Sequence, residues 1–157
     1  MQRRLRLLWV TPSLPRRGRS AFQERTWSLL HALAPAHAIT LLAFVPTDEA
    51  PVAPEELPPG LAAVHRVPCA PQWTADPLSL LPPTVRAGLA DPRCRAALAT
   101  LLRAQPFDVV QYELIETAYV MPLPTVPTLL SVHQLGSAQA HAQWQANGGA
   151  LAQRPAA

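Results

Sequence analysis

Residues 5–11 read LRLLWVT, and Pro12 stops the run. Seven residues with so few polar breaks fit a strand buried on both faces, which is the habit of a parallel sheet. The neighbouring residues support that reading. Residues 12–20 form a polar loop carrying Arg16, Arg17, Gly18 and Arg19. Ser20 then offers an N-cap, with Gln23 three positions on, the spacing of a capping box. A helix is predicted over residues 21–34, with Phe22, Trp27, Leu29, Leu30 and Leu33 on its inner side and Pro35 at its end. Residues 38–45, AITLLAFV, repeat the buried-strand pattern. Two apolar strands joined through a helix make a βαβ unit, whose strands run parallel with a right-handed crossover.

The rest of the chain extends the alternation. Residues 46–60 are a Pro-rich connection, and residues 61–67 are a third, shorter strand. Residues 68–90 are broken by prolines and read as short helical turns. Asp91 and Pro92 mark a helix start, acid at the cap and Pro in the first turn. That helix runs to about Ala104, with Cys94, Leu98, Leu101 and Leu102 as its inner stripe. Residues 107–112, FDVVQY, form a fourth strand. A loop and short helix come next over 113–120, and residues 127–133, PTLLSVH, form a fifth strand. The order β-α-β-β-α-β-α-β predicts an α/β, Rossmann-like domain: a doubly wound parallel sheet of about five strands over residues 1–136. Residues 137–157 are rich in Ala, Gln and Gly and read as a helix or an unpacked tail. Ligands of such sheets sit beyond the carboxyl ends of the strands, where strand order reverses. That places the crevice between the first and fourth strands.

Composition narrows the function classes. The chain has 157 residues, 49% of them apolar, which is enough for one real core. No apolar run approaches the ~20 residues that cross a bilayer, and no small-residue cleavage site follows the short run near the start. The expectation is a cytoplasmic protein. All 13 basic side chains are Arg, and the net charge of +3 is too small to imply a nucleic-acid partner. Residues 16–25 carry Arg16, Arg17, Arg19 and Arg25. They raise peripheral contact with anionic lipid, but no amphipathic apolar face accompanies them. Cys69 and Cys94 stand apart with no C-x-x-C pattern, so two free, packed thiols are expected and no metal site.

Several familiar chemistries lack their residues. No G-x-G-x-x-G follows the first strand, so a dinucleotide cofactor is disfavoured, and there is no phosphate-binding Walker loop. No G-x-S-x-G elbow is present. What remains are polar residues at strand ends. Glu113 and Glu116 follow the fourth strand and face the predicted crevice. Carboxylates there suit acceptor hydroxyls, or serve only as acids favoured by a helix N-terminus. His133 ends the fifth strand, where imidazole either contacts a ligand or satisfies the local backbone.

Taken together, the stretches RLLWVTPSLPRRGRSAFQERTWSLLHALAPAHAITLLAFV and PFDVVQYELIETAYVMPLPTVPTLLSVHQL resemble family 4 glycosyltransferases of the GT-B fold. The lead His37-Ala38-Ile39-Thr40 into the second strand belongs to that likeness, which covers about residues 4–136. The resemblance implies retaining transfer of a sugar from a nucleotide-linked donor to an acceptor hydroxyl, with no metal or other cofactor. It implies that this chain is the acceptor-side N-terminal domain, with the C-terminal donor domain absent, so that the chain is incomplete by itself. It also implies that His133 faces the transferred sugar. The loop Arg16, Arg17, Gly18 and Arg19 would meet the donor phosphates, with Arg charge in place of the family's paired glycines. The alternative is a non-catalytic α/β binding module or a degenerate remnant of such an enzyme.

Overall fold

The computed structural model of the protein describes residues 3–69, 91–113, 117 and 124–132. Strand β1 (Arg6–Thr11) is buried from its second residue onward. Helix α1 (Ala21–Leu33) follows, then β2 (Ala38–Pro46), a single 3-10 turn (Pro54–Glu56) and β3 (Ala63–Cys69). Helix α2 (Pro92–Ala104), β4 (Val109–Glu113) and β5 (Thr128–Ser131) complete the described elements. The five strands form one sheet in the order β3-β2-β1-β4-β5. Every pairing is parallel, so the predicted doubly wound architecture is the one observed. Strand order reverses between β1 and β4, where the crevice was expected.

Alternation along β1 divides the core into two layers. Leu8 and Val10 face α2 and pack with Leu42, Phe44, Leu98, Leu101, Val110 and Tyr112. Leu7 and Trp9 face α1 and pack with Leu30, Ile39, Leu41 and Val45. The inner side chains of β1 and β2 thus meet a helix layer or a neighbouring strand on either face, which is why these strands read as unbroken apolar runs.

The helix caps follow the sequence, with one change. The Ser20 hydroxyl accepts from the Gln23 backbone N–H at 3.2 Å, as an N-cap should. The Gln23 side chain does not close the expected box; its amide donates to the Ser13 hydroxyl at 3.3 Å. Asp91 caps α2 by accepting from the Arg93 N–H at 2.9 Å. At the amino ends of the strands, Asp108 accepts from the Arg6 N–H at 2.8 Å and from the Arg3 guanidinium at 2.7 Å. The Arg6 N–H is the main reason its carboxyl is held below the ordinary carboxylate range.

β3 lies two residues later than predicted and takes in Pro68. The sheet allows this because β3 is an edge strand that pairs only with β2, so the missing N–H of proline costs no ladder bond on the open side. The expectation of two free thiols is overturned. Cys69 closes β3 and Cys94 lies in the first turn of α2, both buried in the same apolar layer. Their Cα atoms are 7.2 Å apart, the two sulfurs form a disulfide, and no cysteine is free. A separation of 25 residues carries no trace of this. Only the packing of α2 against β3 brings the two together.

At the opposite edge, β5 leaves Leu129 and Leu130 open to solvent. Among the described residues, no helix is long and apolar enough to cross a membrane.

Candidate functional site

The carboxyl ends of β4 and β5 carry a polar floor on the α1 side of the sheet, joined to Arg25 of α1. Register explains how it forms. Trp9 pairs with Gln111, and Gln111 with Leu129. One row further, Glu113 pairs with Ser131. Gln111 and Glu113 are two residues apart and therefore share a face.

Glu113 is the centre of the floor. Its side chain is fully buried, yet one oxygen accepts from the Arg25 guanidinium of α1 at 3.2 Å. The other accepts from the Ser131 hydroxyl at 3.1 Å. Ser131 in turn accepts from the Gln111 amide at 2.7 Å, and that amide also donates to the Tyr112 carbonyl. The Thr117 hydroxyl donates to the Glu113 carbonyl at 2.7 Å. A buried carboxylate is tolerated only when paired and hydrogen-bonded, and this one is both. Arg25 keeps 47% of its side-chain surface exposed, so the pair joins a buried carboxylate to a guanidinium that reaches water. Tyr112 stands beneath this floor on the other face, and burial pushes its phenol up to about 12.

The loop between β1 and α1 is committed inward. The Arg16 guanidinium pairs with Glu49. The Arg17 guanidinium lies over the Trp27 ring, 3.7 Å from its centroid, and Trp27 stacks on His31. The Trp27 indole N–H donates to the Glu56 carbonyl at 3.1 Å, tying this stack to the 3-10 turn. Gly18 has φ +69, a left-handed conformation that glycine adopts without strain. Its N–H is taken by the Glu24 carboxylate at 2.8 Å. Arg19 is exposed and makes no hydrogen bond or ion pair among the described residues.

The structure therefore places Glu113, fully buried, as the last residue of β4, and Arg16, Arg17, Gly18 and Arg19 on the loop after β1. It does not bring the four loop residues to one point. His133, Glu116 and residues 137–157 lie outside the described residues, as does most of the stretch 68–90. Sequence reasoning missed Gln111, Ser131 and Arg25. The signal was present in β4, where VVQYE puts two polar residues on one face of an otherwise apolar strand. Among the described residues, no group of three or more His, Cys, Asp or Glu side chains could hold a metal ion.

No protein-family profile matches the chain, and no curated protein matches it. Among solved structures it is similar to Phytolacca americana UGT2 complexed with UDP-2fluoro-glucose and pterostilbene, with a TM-score of 0.50 and 14% sequence identity. That match covers 99% of this chain and 37% of the plant protein's chain. At this identity the likeness is one of fold. The fold is a glycosyltransferase-like, Rossmann-type α/β domain, and the chain spans just over a third of the structure it matches.

Proposed function

We propose that this chain is the acceptor-side, N-terminal domain of a glycosyltransferase. It works with a C-terminal donor-binding domain, joined to it or supplied as a separate chain, to move a sugar from a nucleotide-linked donor to an acceptor hydroxyl. The observation that carries this reading is the polar floor of Arg25, Gln111, Glu113 and Ser131 at the point where strand order reverses. Sugars and hydroxyl-bearing acceptors are bound by convergent polar groups of this kind.

In this reading the domain spans residues 1–136 and residues 137–157 are an appended tail. Glu113 acts on the acceptor through the groups it fixes, the Arg25 guanidinium and the Ser131 hydroxyl, and Glu116 adds a second carboxylate. His133 faces the transferred sugar, hydrogen-bonding its hydroxyls or the charge that develops at the reacting carbon. Arg19 meets the donor phosphates, while Arg16, Arg17 and Gly18 hold the loop in shape. The reaction uses no metal or other cofactor and retains anomeric configuration, as the family resemblance implies.

The test is co-expression with a donor domain and an assay of sugar transfer from a nucleotide sugar. Transfer that depends on both chains and falls at least about a hundredfold in His133→Ala supports the reading. No transfer with any donor domain, across a panel of nucleotide sugars, refutes it. Nuclear magnetic resonance of the product gives the anomeric outcome.

A second reading, a non-catalytic binding module, is favoured by one observation. Arg16, Arg17 and the Gly18 N–H already have partners within the chain, so the loop that would meet donor phosphates is largely satisfied without them. Saturable nucleotide-sugar turnover by the pure chain would rule this reading out.

A further inference from the structure

Three charged side chains meet on the β2–β3 half of the sheet. Arg16 comes from the loop after β1, Glu49 from the turn after β2, and Arg66 from β3. Arg66 pairs in register with Ala43, a residue of the α1-side layer, so it stands on the same side of the sheet as that loop. The side chains are 14%, 21% and 31% exposed respectively, partly withdrawn from water but reachable from it.

We propose that this cluster is a binding site for a phosphate-class oxyanion. The first argument is charge. Two guanidinium groups stay protonated at every accessible pH, and one carboxylate faces them, which leaves one positive charge in a partly desolvated place. The second argument is hydrogen bonding. Glu49 gives one oxygen to Arg16, while its other oxygen is 3.9 Å from the Arg66 guanidinium, too far for a hydrogen bond. The Nε–H groups of Arg16 and Arg66 are both buried without a hydrogen-bond partner, and so is the second Glu49 oxygen, which leaves two unmet donors against one unmet acceptor. Arg66 has one neutral contact, a donation to the Ala50 carbonyl at 3.2 Å. Buried donors on charged groups are costly when left unmet.

An oxyanion answers the surplus charge and the excess of donors together, while the second Glu49 oxygen opposes it. The anion cancels the surplus charge and presents several acceptor oxygens to two guanidinium forks, the pairing for which arginine geometry is suited. Glu49 then has a definite role: it holds Arg16 in place and weakens the site by its own charge. The site stands independently of glycosyl transfer, since it makes no use of the β1–β4 crevice.

The experiment is isothermal titration of the full chain with inorganic phosphate at fixed ionic strength, alongside Arg66→Gln and Glu49→Gln. Arg66 is on an edge strand and partly exposed, so its replacement leaves the core layers untouched. The expected result is saturable binding by the native chain, weakened about tenfold or more in Arg66→Gln and tightened severalfold in Glu49→Gln. A purely structural Arg–Glu–Arg triad predicts the opposite for Glu49→Gln, a less stable chain with no gain in phosphate affinity. Competition by UDP identifies a nucleotide diphosphate as the source of the anion, and phosphate binding without such competition identifies free phosphate. Absent phosphate binding, or binding that is unchanged in Arg66→Gln, overturns the proposal.

Discussion

Arg25 and Glu113 form a pair whose two members should respond unequally to removal. Arg25 is the more exposed partner, at 47%, and Glu113 is fully buried. Burial alone would rank Glu113 as the more important residue. Desolvation ranks them the other way. Arg25→Ala takes a cationic partner away from a carboxylate inside the protein, a change that costs about 3–5 kcal/mol. Glu113→Gln removes the buried charge, keeps the shape and keeps an acceptor for the Ser131 hydroxyl, while the half-exposed guanidinium returns to water. That should cost about 1–2 kcal/mol. The double variant should resemble Glu113→Gln, because the penalty in Arg25→Ala belongs to the charge that the second substitution removes. The coupling between the two sites is then at least about 2 kcal/mol. Urea unfolding followed by tryptophan fluorescence reads these differences. With a slope of roughly 2 kcal/mol/M, Arg25→Ala lowers the midpoint by about 2 M and Glu113→Gln by less than about 1 M. If Arg25→Ala is no worse than Glu113→Gln, or if the two losses simply add, the carboxylate is not a paired buried charge and the account of the crevice floor fails.

The remaining predictions concern the scaffold. Reducing the Cys69–Cys94 disulfide reopens a loop of 25 residues and should lower stability by about 3.5 kcal/mol on loop-closure grounds; intact mass after alkylation with and without reductant checks that the bond is formed. Tyr112 has its phenol raised by burial from 10.0 to about 12, so its contribution to stability is complete below the unfolded value of 10.0 and is lost as pH rises from there towards 12. Absorbance at the phenolate band should show one of the two tyrosines titrating late, together with loss of structure. Asp108 is shifted the other way, so its contribution is present above its unfolded value near 3.8 and is lost as pH falls through the lower folded value; Asp108→Asn should flatten the acid limb of a stability profile. Gly60→Ala should destabilise more than Gly18→Ala. Both glycines have positive φ, but a Cβ at Gly60 would stand 3.3 Å from the Ala34 Cβ while one at Gly18 meets nothing within 4 Å, which thermal melts of the two variants would separate.

The sheet was legible because its causes are local. LRLLWVT and AITLLAFV are apolar on both faces, and only a covered parallel strand gives such a run a place. The caps Ser20 and Asp91 were legible for the same reason: each satisfies donors within three residues of itself. The limits of β3 were not, because Pro68 reads as a breaker until the strand is known to be at an edge. The disulfide was hidden because sequence distance says nothing of where a crossover returns. At the candidate site, the strand switch point followed from topology, and Glu113, read from the sequence as following the fourth strand, is that strand's last residue. Its partners Arg25 and Ser131 are 88 and 18 residues away, contacts that exist only once α1 is laid across β4 and β5 is added beside it.

The two halves of the α1-side layer differ in chemistry, and the difference bears on what the domain is for. Over β1 and β2 the layer is sealed by Leu7, Trp9, Leu30, Ile39, Leu41 and Val45. Over β4 and β5 the corresponding rows are Gln111 with Leu129 and Glu113 with Ser131. A fold seeking stability alone would continue the apolar row, since replacing a buried charge network with packed apolar side chains is commonly neutral or stabilising. Here a fully buried carboxylate is retained, and its counter-ion is left half open to solvent at the strand switch point. Such an arrangement gives little to stability that a leucine would not, but it fixes a guanidinium and a hydroxyl at the carboxyl ends of β4 and β5. The loop from Arg16 to Gly18 differs: its Arg16 and Arg17 guanidinium groups and its Gly18 N–H each have a partner within the chain, Glu49, the Trp27 ring and Glu24. If the β4–β5 floor is the acceptor wall proposed above, substitutions at Arg25, Gln111 and Ser131 alter acceptor binding more than any at Arg17, whose guanidinium lies over the Trp27 ring.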